Sequence, residues 1–215
     1  MPVRSRCDAE MGSGNRELID RAWTEVGRLF TDHPRPTQPF RNRFQHTLRV
    51  LRWAQRIRDL QGEGDPDVIT LAVLFHDVGW EEGAPHEEVS GAIARRWLSE
   101  QGAGTALVKA VVDAAANHNQ RHLSPVSIEE QIVMDADLLD ETGALGFAFD
   151  AMSAATSPDP GYPQLLERSR QHYQRVAQDL QRIRTAAGRQ LLEARLAVYR
   201  SCLEELGHEL EAAAP

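Results

Sequence analysis

Six kinds of position in this chain could do chemistry together: His46, the doublet His76-Asp77, His86, His118, and the aspartates Asp135 and Asp137 of "MDADLLD". The doublet sits in "LAVLFHDVGW", residues 71–80, where Leu71 to Phe75 and Val78 are apolar. A carboxylate carried into apolar surroundings is costly unless it is paired or bound to a cation. Imidazole and carboxylate donors together suit Mn, Fe, Co, Ni or Zn better than Ca or Mg. His76 and Asp77 are about a hundred degrees apart around a helix, so they serve one point only if it lies off the helix end. Gly79 is expected to open the turn there.

Each residue also has a plainer reading. A lone helical histidine is usually a surface or satisfied core residue. His122, four after His118, could pair with it on a helix, but the polar context and Pro125 favour a solvated loop. His33, His172 and His208 read as surface, and Asp113 as part of a solvated helix face. No HExxH, CxxC, phosphate-cradling glycine loop or GxSxG occurs, which removes several common enzyme classes.

Helices must position these side chains. Leu18, Ile19, Trp23, Val26, Leu29 and Phe30 recur at helical spacing. The proline-containing "TDHPRPTQP" then breaks the chain. A helix from about 43 to 60 carries His46 and an apolar face of Leu48, Leu51, Ala54 and Ile57. Asp65 and Pro66 are a start signal. The segment that follows, "DVITLAVLFHDVG", is apolar nearly all round, as befits a helix enclosed by others. "HEEVSGAIARRWLSEQG" and "TALVKAVVDAAANHN" are two further amphipathic helices. A hairpin of the two is expected to set His86 and His118 at opposite ends unless the helices splay. "IEEQIVMDADLLDETG" begins another helix, and a Pro/Gly/Ser-rich break, "SAATSPDPGYP", comes after it. Two long amphipathic helices follow, about 164–185 and 189–210. Their stripes, Leu165, Leu166, Tyr173, Val176, Leu180 and Ile183 with Leu192, Leu196, Tyr199, Leu203 and Leu206, predict a C-terminal hairpin. No strand alternation is seen, so the fold class is all-α.

The bulk composition fits one ordinary domain. The chain has 215 residues, with residues 1–15 expected as a flexible tail and 16–215 as a single all-α domain. A net charge of −8 argues against a nucleic-acid polymer as partner. Cys7 and Cys202 make no disulfide framework. Neither a secretory h-region nor an apolar run near the ~18 residues of a membrane span is visible. A cytoplasmic protein without membrane contact, monomeric or homodimeric, is expected.

The order of the polar residues resembles the HD superfamily, and in particular small bacterial HD-domain phosphohydrolases. The matching elements are "HTLRV" at His46, "LAVLFHDVGW" at His76-Asp77, "HEEVSGAIARRWL" at His86, "DAAANH" at His118 and "DADLLDETGALG" at Asp137. They run in family order from about 43 to 147. The resemblance implies His46, His76, Asp77 and Asp137 as metal ligands, Asp137 being preferred to Asp135 because it precedes Leu138-Leu139. His86 and His118 match positions that hold a second metal or touch phosphate, and Arg49 matches one suited to phosphate. Asp77 would be both ligand and neighbour of the attacking water. Two departures stand out: Leu138 occupies a place where many relatives have arginine, and "ALGFAFD" lacks a basic residue. The implied activity is metal-dependent hydrolysis of a nucleotide or other small phosphoester. The same residues would serve an HD-type dinuclear iron oxygenase, and a non-catalytic regulatory module is the remaining alternative.

Overall fold

The computed structural model describes residues 13–32, 42–79, 85–124 and 126–212. Most of the expected tail at 1–15, the break at 33–41 with His33, the stretch 80–84 and Pro125 lie outside the described residues. Ser13–Asn15 belong to the first helix rather than to a tail, and the Asn15 amide donates to Asp67 Oδ2 at 2.6 Å. Among the described residues all regular structure is helical: α1 (Ser13–Asp32), α2 (Arg43–Gln61), α3 (Pro66–Phe75), α4 (His86–Glu100), α5 (Thr105–Asn117), α6 (Ile128–Asp140), α7 (Gly143–Ala155), α8 (Tyr162–Asp179) and α9 (Ala186–Ala212).

α3 is the axle of the bundle. The Asp65 carboxylate accepts from the Asp67 and Val68 amides, and Pro66 occupies the first turn, where its missing N–H costs nothing. Leu71, Ala72, Val73, Leu74 and Phe75 are completely enclosed. α1, α2, α4, α5 and α6 all pack on α3, which explains why its sequence is apolar on every side. α2 starts with Asn42 accepting from the Gln45 amide and stops at Gly62, whose φ of 78° is the left-handed conformation of a helix terminus. α6 begins with a capping box, Ser127 and Glu130 each binding the other's backbone N–H.

α7 fills the interval between α6 and the Pro/Gly-rich break. It was not read from the sequence because Leu145, Phe147 and Phe149 recur every second residue rather than at helical spacing, and glycines at 143 and 146 interrupt the run. α8 and α9 form the expected hairpin. Val176, Ile183, Leu192 and Leu196 join the main core, while Leu166, Tyr199 and Leu203 make a second small core with Phe147 of α7. α8 ends at Asp179, not near 185. The Asp135 carboxylate takes the Arg184 amide at 3.0 Å and the Thr185 amide at 2.8 Å, fixing a turn before α9. No described helix is long and apolar enough to cross a membrane.

Candidate metal centre

Four histidines present the same ring nitrogen to one place. The Nδ1 atoms of His76 and His118 donate back to the carbonyls of Val73 and Ala115, each at 2.7 Å. His46 Nδ1 meets Asp140 Oδ2 at 2.8 Å, and His86 Nδ1 lies 3.3 Å from Glu87 Oε2. With every Nδ1 engaged, Nε2 is the atom turned to the centre. This outer support of the far nitrogen is how metal-ligating imidazoles are fixed in tautomer and orientation.

The Nε2 atoms converge with two carboxylates. His46 and His76 approach nitrogen to nitrogen at 3.1 Å, and Asp137 Oδ1 lies 3.4 Å from His46 Nε2 and 3.8 Å from His76 Nε2. Asp77 Oδ2 is 3.7 Å from His46 Nε2, while its Oδ1 is 3.3 Å from His86 Nε2 and 3.8 Å from His118 Nε2. Two triads, His46-His76-Asp77 and Asp77-His86-His118, are each compact enough to hold an ion, and Asp77 belongs to both. Two imidazole lone pairs meeting at 3.1 Å need a proton or a cation between them. The donor set and its spacing therefore fit one or two divalent transition ions.

Electrostatics agree. Burial disfavours the charged form of Asp77 and Asp137, yet the surrounding imidazoles hold both carboxyls far below the usual range. His76 is pushed down to about 4, chiefly by burial, so it is neutral and able to ligate. His46 is also buried, but Asp137, Asp140 and Asp77 outweigh that and raise it to about 10.

Backbone placement corrects two expectations. α3 ends at Phe75, before the doublet, and Gly79 does not adopt a left-handed conformation. Glycine is needed there for close approach, since a Cβ on Gly79 would stand 2.3 Å from the Ser90 amide nitrogen of α4. That contact joins Asp77 to His86. Likewise His86 and His118 are not at opposite ends of the α4–α5 hairpin. An antiparallel pair brings the first residue of one helix beside the last of the next, and their ring centroids are 5.4 Å apart.

Asp135 and Asp137 point in different directions. Asp137 faces the histidines, whereas Asp135 is enclosed and accepts from the backbone and hydroxyl of Thr185. Arg49 stands apart from the place expected for a phosphate ligand. Its guanidinium makes two bonds to Asp140, at 2.7 and 2.8 Å, and does not line the cavity. His122 and His208 are exposed as read, and Asp113 pairs with Lys109. His172, read as surface, lines the cavity with only 13% of its side chain exposed.

The centre opens into a cavity of about 440 Å³. Beyond the ligand set, Arg121 and Arg175 line it. Arg121 Nη2 lies 3.4 Å from Asp137 Oδ2, and its buried Nε has no partner among the described residues. Neither arginine was singled out from sequence. Arg121 follows His118 by three residues in "HNQRH", a stretch that reads as a polar loop.

Residues 43–142, which span every residue of the centre, match the HD domain family. The chain carries an HD domain. The HD fold is shared with an HD-superfamily hydrolase from Bacillus thuringiensis, at 25% identity and a TM-score of 0.67 over 92% of this chain and 99% of that one. YpgQ of Bacillus subtilis, crystallised in complex with ADP, has the same fold at 22% identity and a TM-score of 0.65, over 91% and 96% of the two chains. So does a Listeria innocua protein at 21% identity, with a TM-score of 0.67 over 95% and 100%. No curated protein matches the chain.

Proposed function

We propose that this HD protein is a metal-dependent phosphohydrolase acting on a nucleotide or other small phosphoester. The observation that carries the reading is the convergence of six ligand-type side chains at the floor of a cavity whose wall holds arginines. His46, His76, Asp77 and Asp137 would hold one divalent ion, with His86 and His118 completing a second site through Asp77 or facing phosphate. Such an ion supplies a water acidic enough to attack at neutral pH and polarises a phosphoryl oxygen.

The chain's own residues do the rest. Asp77 borders both triads and is the carboxylate beside which an attacking water would be held. Arg121, anchored on the Met134 carbonyl at 3.1 Å, presents a charged donor to phosphate oxygens. Arg49 acts from behind, through Asp140 on His46. The ADP bound to YpgQ, a protein of the same fold, supports a phosphorylated ligand.

A dinuclear iron oxygenase is the second reading, favoured by the sharing of Asp77 between two complete triads. The test is a panel of nucleotides, sugar phosphates and aryl phosphates assayed for phosphate or pyrophosphate release with Mn, Co, Ni or Fe, alongside oxygen uptake by the iron-loaded protein. Release without oxygen uptake supports hydrolysis; oxygen uptake without phosphate release supports the oxygenase.

A further inference from the structure

α8 packs chiefly on α7 and α9, not on the helices that carry the ligand set. One face of it lines the same cavity as the metal centre. That face is His172, Arg175, Val176 and Asp179, at helical spacing.

His172 is held from behind with unusual care for a cavity-lining residue. Its Nδ1 donates to Asp150 Oδ2 at 2.8 Å. Asp150, on α7 and only 1% exposed, also accepts from Arg168 Nε at 3.1 Å and from the Tyr199 hydroxyl of α9. The Tyr199 ring meets the imidazole edge-on, with centroids 5.5 Å apart. Three helices thus orient one ring. Nδ1 is committed to the protein interior, and Nε2 has no partner among the described residues. A carboxylate on Nδ1 fixes the tautomer of an imidazole and balances its charge when Nε2 is protonated.

In phosphoryl transfer the attacking and leaving oxygens lie roughly in line on either side of phosphorus. Water delivered from the metal end puts the leaving oxygen on the side away from the ligand set, towards the part of the cavity wall that carries no ligand, to which α8 contributes His172. We propose that His172, positioned by Asp150, is the proton donor to the leaving-group oxygen. The inference rests on the phosphohydrolase reading. The water oxygen joins phosphorus and its proton passes to solvent. The phosphorus–leaving-oxygen bond breaks, its electron pair stays on that oxygen, and the oxygen takes the Nε2 proton. The imidazole recovers a proton from solvent, so the donor is regenerated.

The experiment compares full-length, metal-loaded wild-type protein with His172→Gln on esters graded by leaving-group basicity, from p-nitrophenyl phosphate through phenyl phosphate to alkyl and nucleoside monophosphates. The glutamine amide keeps a donor for Asp150 but carries no transferable proton. Wild-type rates should depend weakly on the leaving group. In His172→Gln, kcat should fall on the order of a hundredfold for basic leaving groups and little for p-nitrophenolate, the usual scale of general acid catalysis. Asp150→Asn should show the same pattern more weakly, and His172→Gln alone decides if that variant fails to fold. Equal losses across the series, as a structural role would give, or no loss, overturn the proposal. A wild-type protein that hydrolyses no ester overturns the phosphohydrolase reading, and this inference falls with it.

Discussion

Asp140 accepts His46 Nδ1 at 2.8 Å while both its oxygens are gripped by Arg49. A fully buried carboxylate thus sets the direction of one ligand from outside the ligand set. Asp140→Asn keeps the shape but loses charge on both partners. Metal affinity should drop by about 10- to 100-fold, the scale for supports of this kind. Titration of metal-free protein with Mn or Zn checks this. Unchanged affinity would separate Asp140 from the site.

His46 carries a proton in the metal-free protein near neutral pH, because its folded-state value is raised to about 10 from 6.5. A cation takes the same lone pair. Binding at pH 7.5 should release about one proton, and affinity should weaken about tenfold per pH unit as pH falls in that range. The raised value also sets the sign for stability: its contribution is full below about 6.5 and is lost as pH rises towards 10. Calorimetry in buffers of different ionisation enthalpy measures the proton directly. Zero release contradicts the assignment of His46.

Asp135→Ala and Asp137→Ala should part company. Asp135 anchors the turn before α9, and its loss leaves the Arg184 and Thr185 amides without their acceptor. We expect a loss of about 2–4 kcal/mol with metal retained. Asp137→Ala should keep the fold and lose metal. Thermal unfolding and elemental analysis on the same preparations separate the two. Metal loss confined to Asp135→Ala would reverse the assignment.

The order of the polar residues made much of the centre legible in sequence. His46, His76, Asp77, His86, His118 and Asp137 fall in one order on or just past the ends of successive helices, and they do converge. What stayed hidden has physical reasons. Asp140 looks like an ordinary polar residue of an amphipathic helix, since nothing local marks a side chain whose partners His46 and Arg49 are 94 and 91 residues away, and Arg121 lies in a polar loop stretch whose inward turn to Asp137 has no local signal. His172 lies on a polar helix, and only the packing of α7 and α9 behind it shows that one face is covered. Gly79 was legible as a special position but not for its cause, which is the α4 backbone rather than its own dihedral angles.

Gly79→Ala should damage site and fold together. A Cβ there would also come within 2.7 Å of Val89, so α3 and α4 must separate. The expected cost is on the order of 3 kcal/mol, at the upper end for overpacking. Because Asp77 and His86 ride on the two separated segments, activity should fall by more than the unfolded fraction explains. Chemical denaturation with parallel rate measurements tests this, and a stable, fully active variant would refute the close-approach account.

The most direct test of the metal-centred account is to strip the protein of metal, titrate Mn back, and follow bound metal and phosphate release from a turned-over ester on the same samples. Turnover should be absent at the start and rise in step with occupancy to a plateau at one or two ions per chain, while Asp77→Ala gains neither. Turnover before any metal is added, or full occupancy of the wild-type site with no phosphate released from any ester, would contradict it.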